Sequence, residues 1–149
     1  MSGVQACEMG GFSNNQETLI ANSATLDPGD FVTLDGDGFL ARSAAGDKIE
    51  GFSVRDSVTV ASDNETVGLI KGQWQPIDDN MTFWLTADQA PAQTDIGAYC
   101  NIAVSGGGAI TANLAATTEG QLQVIEIDIA NTKVKVKVAE PQQLAFAQV

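Results

Sequence analysis

From Thr18 onward the apolar residues of this chain come in short clusters of strand length, and almost nothing falls at helical spacing. Residues 31–34, 49–54, 58–60, 66–70, 82–85, 99–104, 122–129 and 134–138 are rich in β-branched and aromatic types, which suit a pleated, half-buried surface. Between them lie turn-forming groups: Asp27-Pro28-Gly29-Asp30, Asp35-Gly36-Asp37-Gly38, Ala45-Gly46-Asp47, Ser62-Asp63-Asn64-Glu65, Asp78-Asp79-Asn80, Ser105-Gly106-Gly107-Gly108 and Ala130-Asn131. Strands about ten residues apart with no helical crossover predict antiparallel pairing. The expected fold is all-β, a small antiparallel barrel or sandwich.

The clearest alternation runs from Leu122 to Val138, interrupted at Asn131. Apolar residues at every second position predict two strands, each with one buried face, joined by a tight turn that uses Asn131 and its neighbour. The open face of the first strand then carries Glu126 and Asp128, and that of the second carries Lys133, Lys135 and Lys137. Directly opposed, such pairs contribute some tenths of a kcal/mol to about one each.

An approximate repeat is visible at an offset of 67 to 68. Gly29, Phe31, Val32 and Leu34 map onto Gly97, Tyr99, Cys100 and Ile102, while Asn64, Val67 and Leu69 map onto Asn131, Val134 and Val136. Two readings stand: duplication of one small β unit, over about 27–77 and 95–138, or the chance recurrence that β-rich sequences produce. Duplicated halves would share a core, because each alone is too small to bury much. This organisation places an extended N-terminal arm at 1–16, a β domain at 17–138 and a tail at 139–149, which is uncharged after Glu140 yet holds Leu144, Phe146 and Val149.

Composition removes whole classes of chemistry. The 149 residues contain no histidine, which excludes Ser-His-Asp and Cys-His catalysis and imidazole metal sites. Seven Lys+Arg face 19 Asp+Glu, a net charge of -12 that opposes nonspecific attraction to nucleic acid or to an anionic membrane. Only 17% of residues are charged, against about 25% in typical soluble domains. Cys7 and Cys100 are too few for a structural zinc site; Cys100 reads first as a small buried hydrophobe, and a disulfide between the two is not required by anything in the sequence. Residues 1–8 lack the basic and apolar regions of a secretory signal, and no run is long enough to span a membrane, so synthesis in a cytoplasm is expected.

The remaining candidates weigh mostly towards structure. Asp35 and Asp37 could share a hard cation, but an EF-hand loop needs a Glu at its twelfth position and Gly46 stands there, so the stretch reads first as a hairpin turn. Asp78-Asp79-Asn80 and Asp63-Asn64-Glu65 read the same way. With 19 acids some carboxylate pair always meets glycosidase spacing, so no catalytic, cofactor or metal residue is assigned. Trp74 and Trp84 read as core or interface anchors before they read as a sugar platform. The one basic patch is the lysine strand: residues 133–149 carry three Lys against Glu140, a net +2, and residues 1–132 carry the other -14. Protection of an edge strand is its simplest reading, docking on a protein lattice the next, and nucleic acid the last.

The stretch Asp27-Pro28-Gly29-Asp30-Phe31-Val32-Thr33-Leu34, then Asp37-Gly38-Phe39-Leu40-Ala41, then Ala45-Gly46-Asp47-Lys48-Ile49-Glu50-Gly51-Phe52-Ser53-Val54 and a strand from Val67 to Gln73 resembles the capsid cement, or decoration, proteins of tailed bacteriophages. The resemblance covers about residues 18–77; residues 97–138 are extra to it. It implies a small barrel or tulip-like protein, often a homotrimer, that binds the outside of an expanded head and bridges capsomers through the major capsid protein. On that reading the chain resides on the virion exterior and is not an enzyme. The expected contacts are Val4, Met9 and Phe12 on the arm, Lys133, Lys135 and Lys137 on the strand, and Leu144 and Phe146 on the tail. A phage tail, fibre or baseplate β module and a carbohydrate-binding adhesion module are the alternatives.

Overall fold

The computed structural model describes residues 15–78, 80–104 and 109–139. These residues form β1 (Gln16–Leu19), β2 (Thr25–Leu26), β3 (Phe31–Leu34), β4 (Leu40–Arg42), β5 (Gly51–Ser53), β6 (Val58–Thr59), α1 (Asn64–Val67), β7 (Lys71–Pro76), β8 (Phe83–Thr86), a 3-10 turn (Gln93–Asp95), β9 (Tyr99–Val104), β10 (Ile110–Asn113), β11 (Leu122–Asp128) and β12 (Lys133–Val138). The protein is all-β. One five-stranded sheet has the order β1-β7-β5-β3-β4, a second has β10-β9-β11-β12-β8, and β2 pairs with β6 in a two-stranded ribbon. All strand pairs are antiparallel.

The two large sheets share one connectivity, with β1, β3, β4, β5 and β7 answering in turn to β8, β9, β10, β11 and β12. The agreement extends to register. Val32 faces Gly51 as Cys100 faces Leu122; Ser53 faces Trp74 as Val124 faces Val136; Leu19 faces Lys71 as Thr86 faces Lys133; Leu34 faces Leu40 as Ile102 faces Ala112. The turns before β3 and β9 match as well: the Gly29 N–H donates to the Ser53 carbonyl and the Gly97 N–H to the Val124 carbonyl, both at 2.8 Å, with φ of 85° and 86°. These left-handed angles are why glycine stands at both places. Neither sheet closes into a barrel, but each curls until one parallel bridge joins its two edges, Ile20 to Leu40 in the first and Ala87 to Ala112 in the second.

The second half of the sequence match does not hold structurally. Val67 and Leu69 lie in α1 and the loop after it, 49% and 78% exposed, whereas Val134 and Val136 are buried in β12. Asn64 and Asn131 differ in kind. Asn64 is buried, its amide donating to the carbonyls of Ile20 and Ile70 and accepting from the Ile70 N–H, while Asn131 is an exposed turn residue bonded to Asp128. The predicted strand over 66–70 is therefore a helical turn and a loop, organised by the buried Asn64 amide.

Two apolar clusters hold these layers. The smaller joins Ile20, Leu26, Val32, Leu40, Val60 and Trp74, so the ribbon packs on one face of the first sheet. Gly51 lets Trp74 lie flat there: a Cβ at that position would fall on the Trp74 ring and the Gln75 carbonyl. The larger cluster contains the second sheet's inner residues, among them Ile102, Leu122, Val124, Val134 and Val136, together with Phe31, Ile49, Phe52 and Ile77 from the first half. Phe83 of β8 meets Phe31 and Phe52 edge-on, with ring centroids 5.1 and 5.5 Å apart. Gln121 adds a polar tie: fully buried, it accepts from the Ile102 N–H and donates to the carbonyls of Ala44 and Asp47 in the first half.

Candidate functional site

The outer face of the second sheet carries the chain's concentration of basic side chains. Val134, Val136 and Val138 point into the larger core, so the alternating Lys133, Lys135 and Lys137 point outward. Cross-strand pairing arranges them in three rows: Thr86, Lys133 and Asp128; Trp84, Lys135 and Glu126; and Lys137, Gln123 and Tyr99. A bulge at Ile125 shifts the register so that Glu126 stands opposite Lys135.

The middle row is the most tightly organised. Lys135 Nζ lies 3.0 Å from Glu126 Oε2 and 6.0 Å from the centre of the Trp84 ring, the outer reach of a cation–π contact. Lys133 and Lys137 have no carboxylate within ion-pairing distance among the described residues. In the hairpin turn, Asp128 accepts from the Asn131 side chain at 2.8 Å and from its backbone N–H at 3.1 Å. The Asn131 side-chain bond above all, with the backbone bond and the nearby Lys133 charge, holds the Asp128 carboxyl below its ordinary value. The turn spans four residues, 129–132, closed by Thr132 at a φ of 53°, rather than a two-residue turn.

Of the expected contact residues, the structure brings Lys133, Lys135 and Lys137 together; Val4, Met9, Phe12, Leu144 and Phe146 lie outside the described residues. Guarding a sheet edge is not the lysines' role, because β12 lies inside the sheet between β11 and β8. Trp74 and Trp84 do not form a joint platform. Trp74 is buried, with its indole N–H on Thr18 Oγ1 at 3.0 Å, whereas Trp84 is 49% exposed beside the lysines. The Asp35 carboxylate accepts the backbone N–H groups of Asp37 and Phe39, both at 2.9 Å, and Asp78 accepts that of Asn80 at 2.8 Å, so both serve as turn caps.

Cys100 is a free thiol buried in the larger core. Burial, with the charges of Asp88 and Asp95 adding to it, pushes the thiol up to about 11, so it is protonated and unreactive at neutral pH. Elsewhere Arg42 binds Asp27 and the buried Asp30 at 3.0 and 2.7 Å, Lys48 binds Glu50 at 3.3 Å, and Arg55 donates to the Lys71 carbonyl, while the exposed Lys71 makes no ion pair among the described residues. The sequence pattern pointed to the lysines but not to Trp84 as their neighbour, since nothing local to β8 says that it pairs with β12. No protein-family model matches this chain, and no curated protein matches it significantly.

Proposed function

We propose that this chain is a non-enzymatic structural protein of a tailed-phage head, which binds the outer surface of the capsid and stabilises the shell by bridging capsomers. The observation that carries the reading is the outer face of β8, β12 and β11, where Lys133, Lys135, Lys137 and a half-exposed Trp84 stand together on a chain of net charge -12. Such a face offers contacts for a protein surface and no constellation for chemistry. The resemblance of residues 18–77 to capsid cement proteins points the same way. Stabilisation follows from mass action: a protein that binds the assembled shell, and not its dissociated subunits, shifts assembly towards the shell. Association into a homotrimer would let weak single contacts with the major capsid protein add up.

The test is co-sedimentation of the purified full chain with expanded heads, unexpanded procapsids and isolated tails of the phage that encodes it. Pelleting with expanded heads alone is expected. Failure to bind any head particle overturns the reading, and pelleting with tails would assign the chain to a tail or baseplate instead.

A further inference from the structure

We infer that the outer face of β8, β12 and β11 is a docking surface for an acidic surface of a partner protein, with Trp84 as its apolar anchor. This rests on the reading above and names the chemistry of the partner it requires. Three of the chain's seven basic residues stand on this one strand face, against a net charge of -12 for the whole. An acidic partner surface is drawn to this face and repelled by the remainder of the chain.

Two features favour a protein over a polyphosphate or an anionic membrane. Glu126 and Asp128 sit in the same rows as the lysines, so charge alone holds a partner weakly there, and the apolar and hydrogen-bonding groups of a peptide chain add contacts that a layer of phosphates does not. Exposed apolar groups are interspersed: Trp84 at 49%, Tyr99 at 39% and Ile125 at 37%. Aromatic anchors within a polar surround are characteristic of protein interfaces.

The matching registers of the two sheets supply an independent argument. Phe31 and Phe52 of the first sheet face each other and are covered by Phe83. Their counterparts in the second sheet, Tyr99 and Gln123, also face each other, yet Tyr99 is 39% exposed where Phe31 is 1%. Lys137 lies in the same row, opposite Gln123. The face that one sheet buries against its neighbour is left uncovered in the other.

The experiment follows the fluorescence of Trp84 in the full chain at low salt while poly-L-glutamate is added, with Trp84→Phe as the blank. Oligothymidylate and phosphatidylglycerol vesicles serve as competing polyanions. Poly-L-glutamate should change the emission of the wild type and not of the blank. The double variant Lys133→Glu/Lys137→Glu should bind at least about tenfold more weakly, because two attractive contacts become repulsive, and Lys71→Glu, at the corresponding place on the first sheet, should bind as the wild type does. No response to poly-L-glutamate, equal binding by the double variant, or tighter binding of oligothymidylate or vesicles overturns the inference. The same variants in co-sedimentation separate the two readings. Heads that bind the wild type and the double variant equally refute this docking face alone; heads that bind neither, with the poly-L-glutamate response intact, refute the head-binding reading alone.

Discussion

Gln121 is the polar side chain on which the union of the two halves most depends, and replacing it with Leu isolates its hydrogen bonds from its bulk. The side chain is fully buried, receives the Ile102 N–H at 3.1 Å and donates to the carbonyls of Ala44 at 3.0 Å and Asp47 at 2.6 Å. Leucine fills nearly the same volume but can make none of these bonds. The Ile102 N–H is then left buried without a partner, at a cost of about 1–3 kcal/mol. The Ala44 carbonyl keeps the Asp47 N–H, so its loss is smaller. With the bonds to the two carbonyls adding about 1 kcal/mol each, Gln121→Leu should lower stability by about 3–5 kcal/mol. For a chain of this length that is a fall in Tm of about 6–20 °C. Urea unfolding followed by tryptophan fluorescence and by circular dichroism gives the free energy directly. Gln121→Glu should be at least as damaging at neutral pH, because a carboxylate would face two carbonyl oxygens, and should recover partly on acidification as it becomes a donor. A loss below about 1 kcal/mol for Gln121→Leu would refute the claim that this amide ties the halves together.

Three further outcomes follow from single positions. Ser53 has a buried hydroxyl with no partner among the described residues, and its counterpart in the second sheet is Val124; Ser53→Ala should raise stability by about 1 kcal/mol, read as a higher urea midpoint, and a lower midpoint would mean that the hydroxyl is bonded. Gly51→Ala should cost about 1–3 kcal/mol, because the new Cβ falls on the Trp74 ring and the Gln75 backbone carbonyl; an unchanged midpoint would contradict that packing. In a Cys7→Ser background, Cys100 should resist a thiol reagent at pH 8 until the protein is unfolded. Since its pKa is raised in the fold, to about 11, the neutral thiol's contribution is fully present below the unfolded value and is lost as pH rises towards 11, so stability should fall over that alkaline range in the parent and not in Cys100→Ala.

Much of the architecture was readable from alternation, and what was not has identifiable causes. Residues 122–138 carry their pairing in the sequence because every second side chain is apolar, and β11 and β12 form as expected; the adjacent Val124 and Ile125 break the alternation where the bulge lies. The stretch 66–70 misled because Val67 and Leu69 are apolar yet exposed, and the side chain that organises the region is the buried Asn64. A fixed offset of 68 found β3 against β9, since Phe31 answers to Tyr99, but connecting loops of different length change the offset along the chain. Lys71 answers to Lys133 at 62, so a single-offset comparison cannot see the last pair. For the candidate site, the lysines were legible because their spacing of two is a property of one strand. The place of Trp84 beside them depends on which strand pairs with β12, and that choice is made by the shared core around Phe83.

The bridges that bring the edges of each sheet together limit how this protein can associate. Backbone bonds from the Ala21 N–H to Leu40 and from the Asp88 N–H to Ala112 use up amide positions where another chain would otherwise add a strand. At those positions contacts with other molecules fall to side chains, which meet a defined surface and release it, rather than to the backbone, which would template open-ended growth.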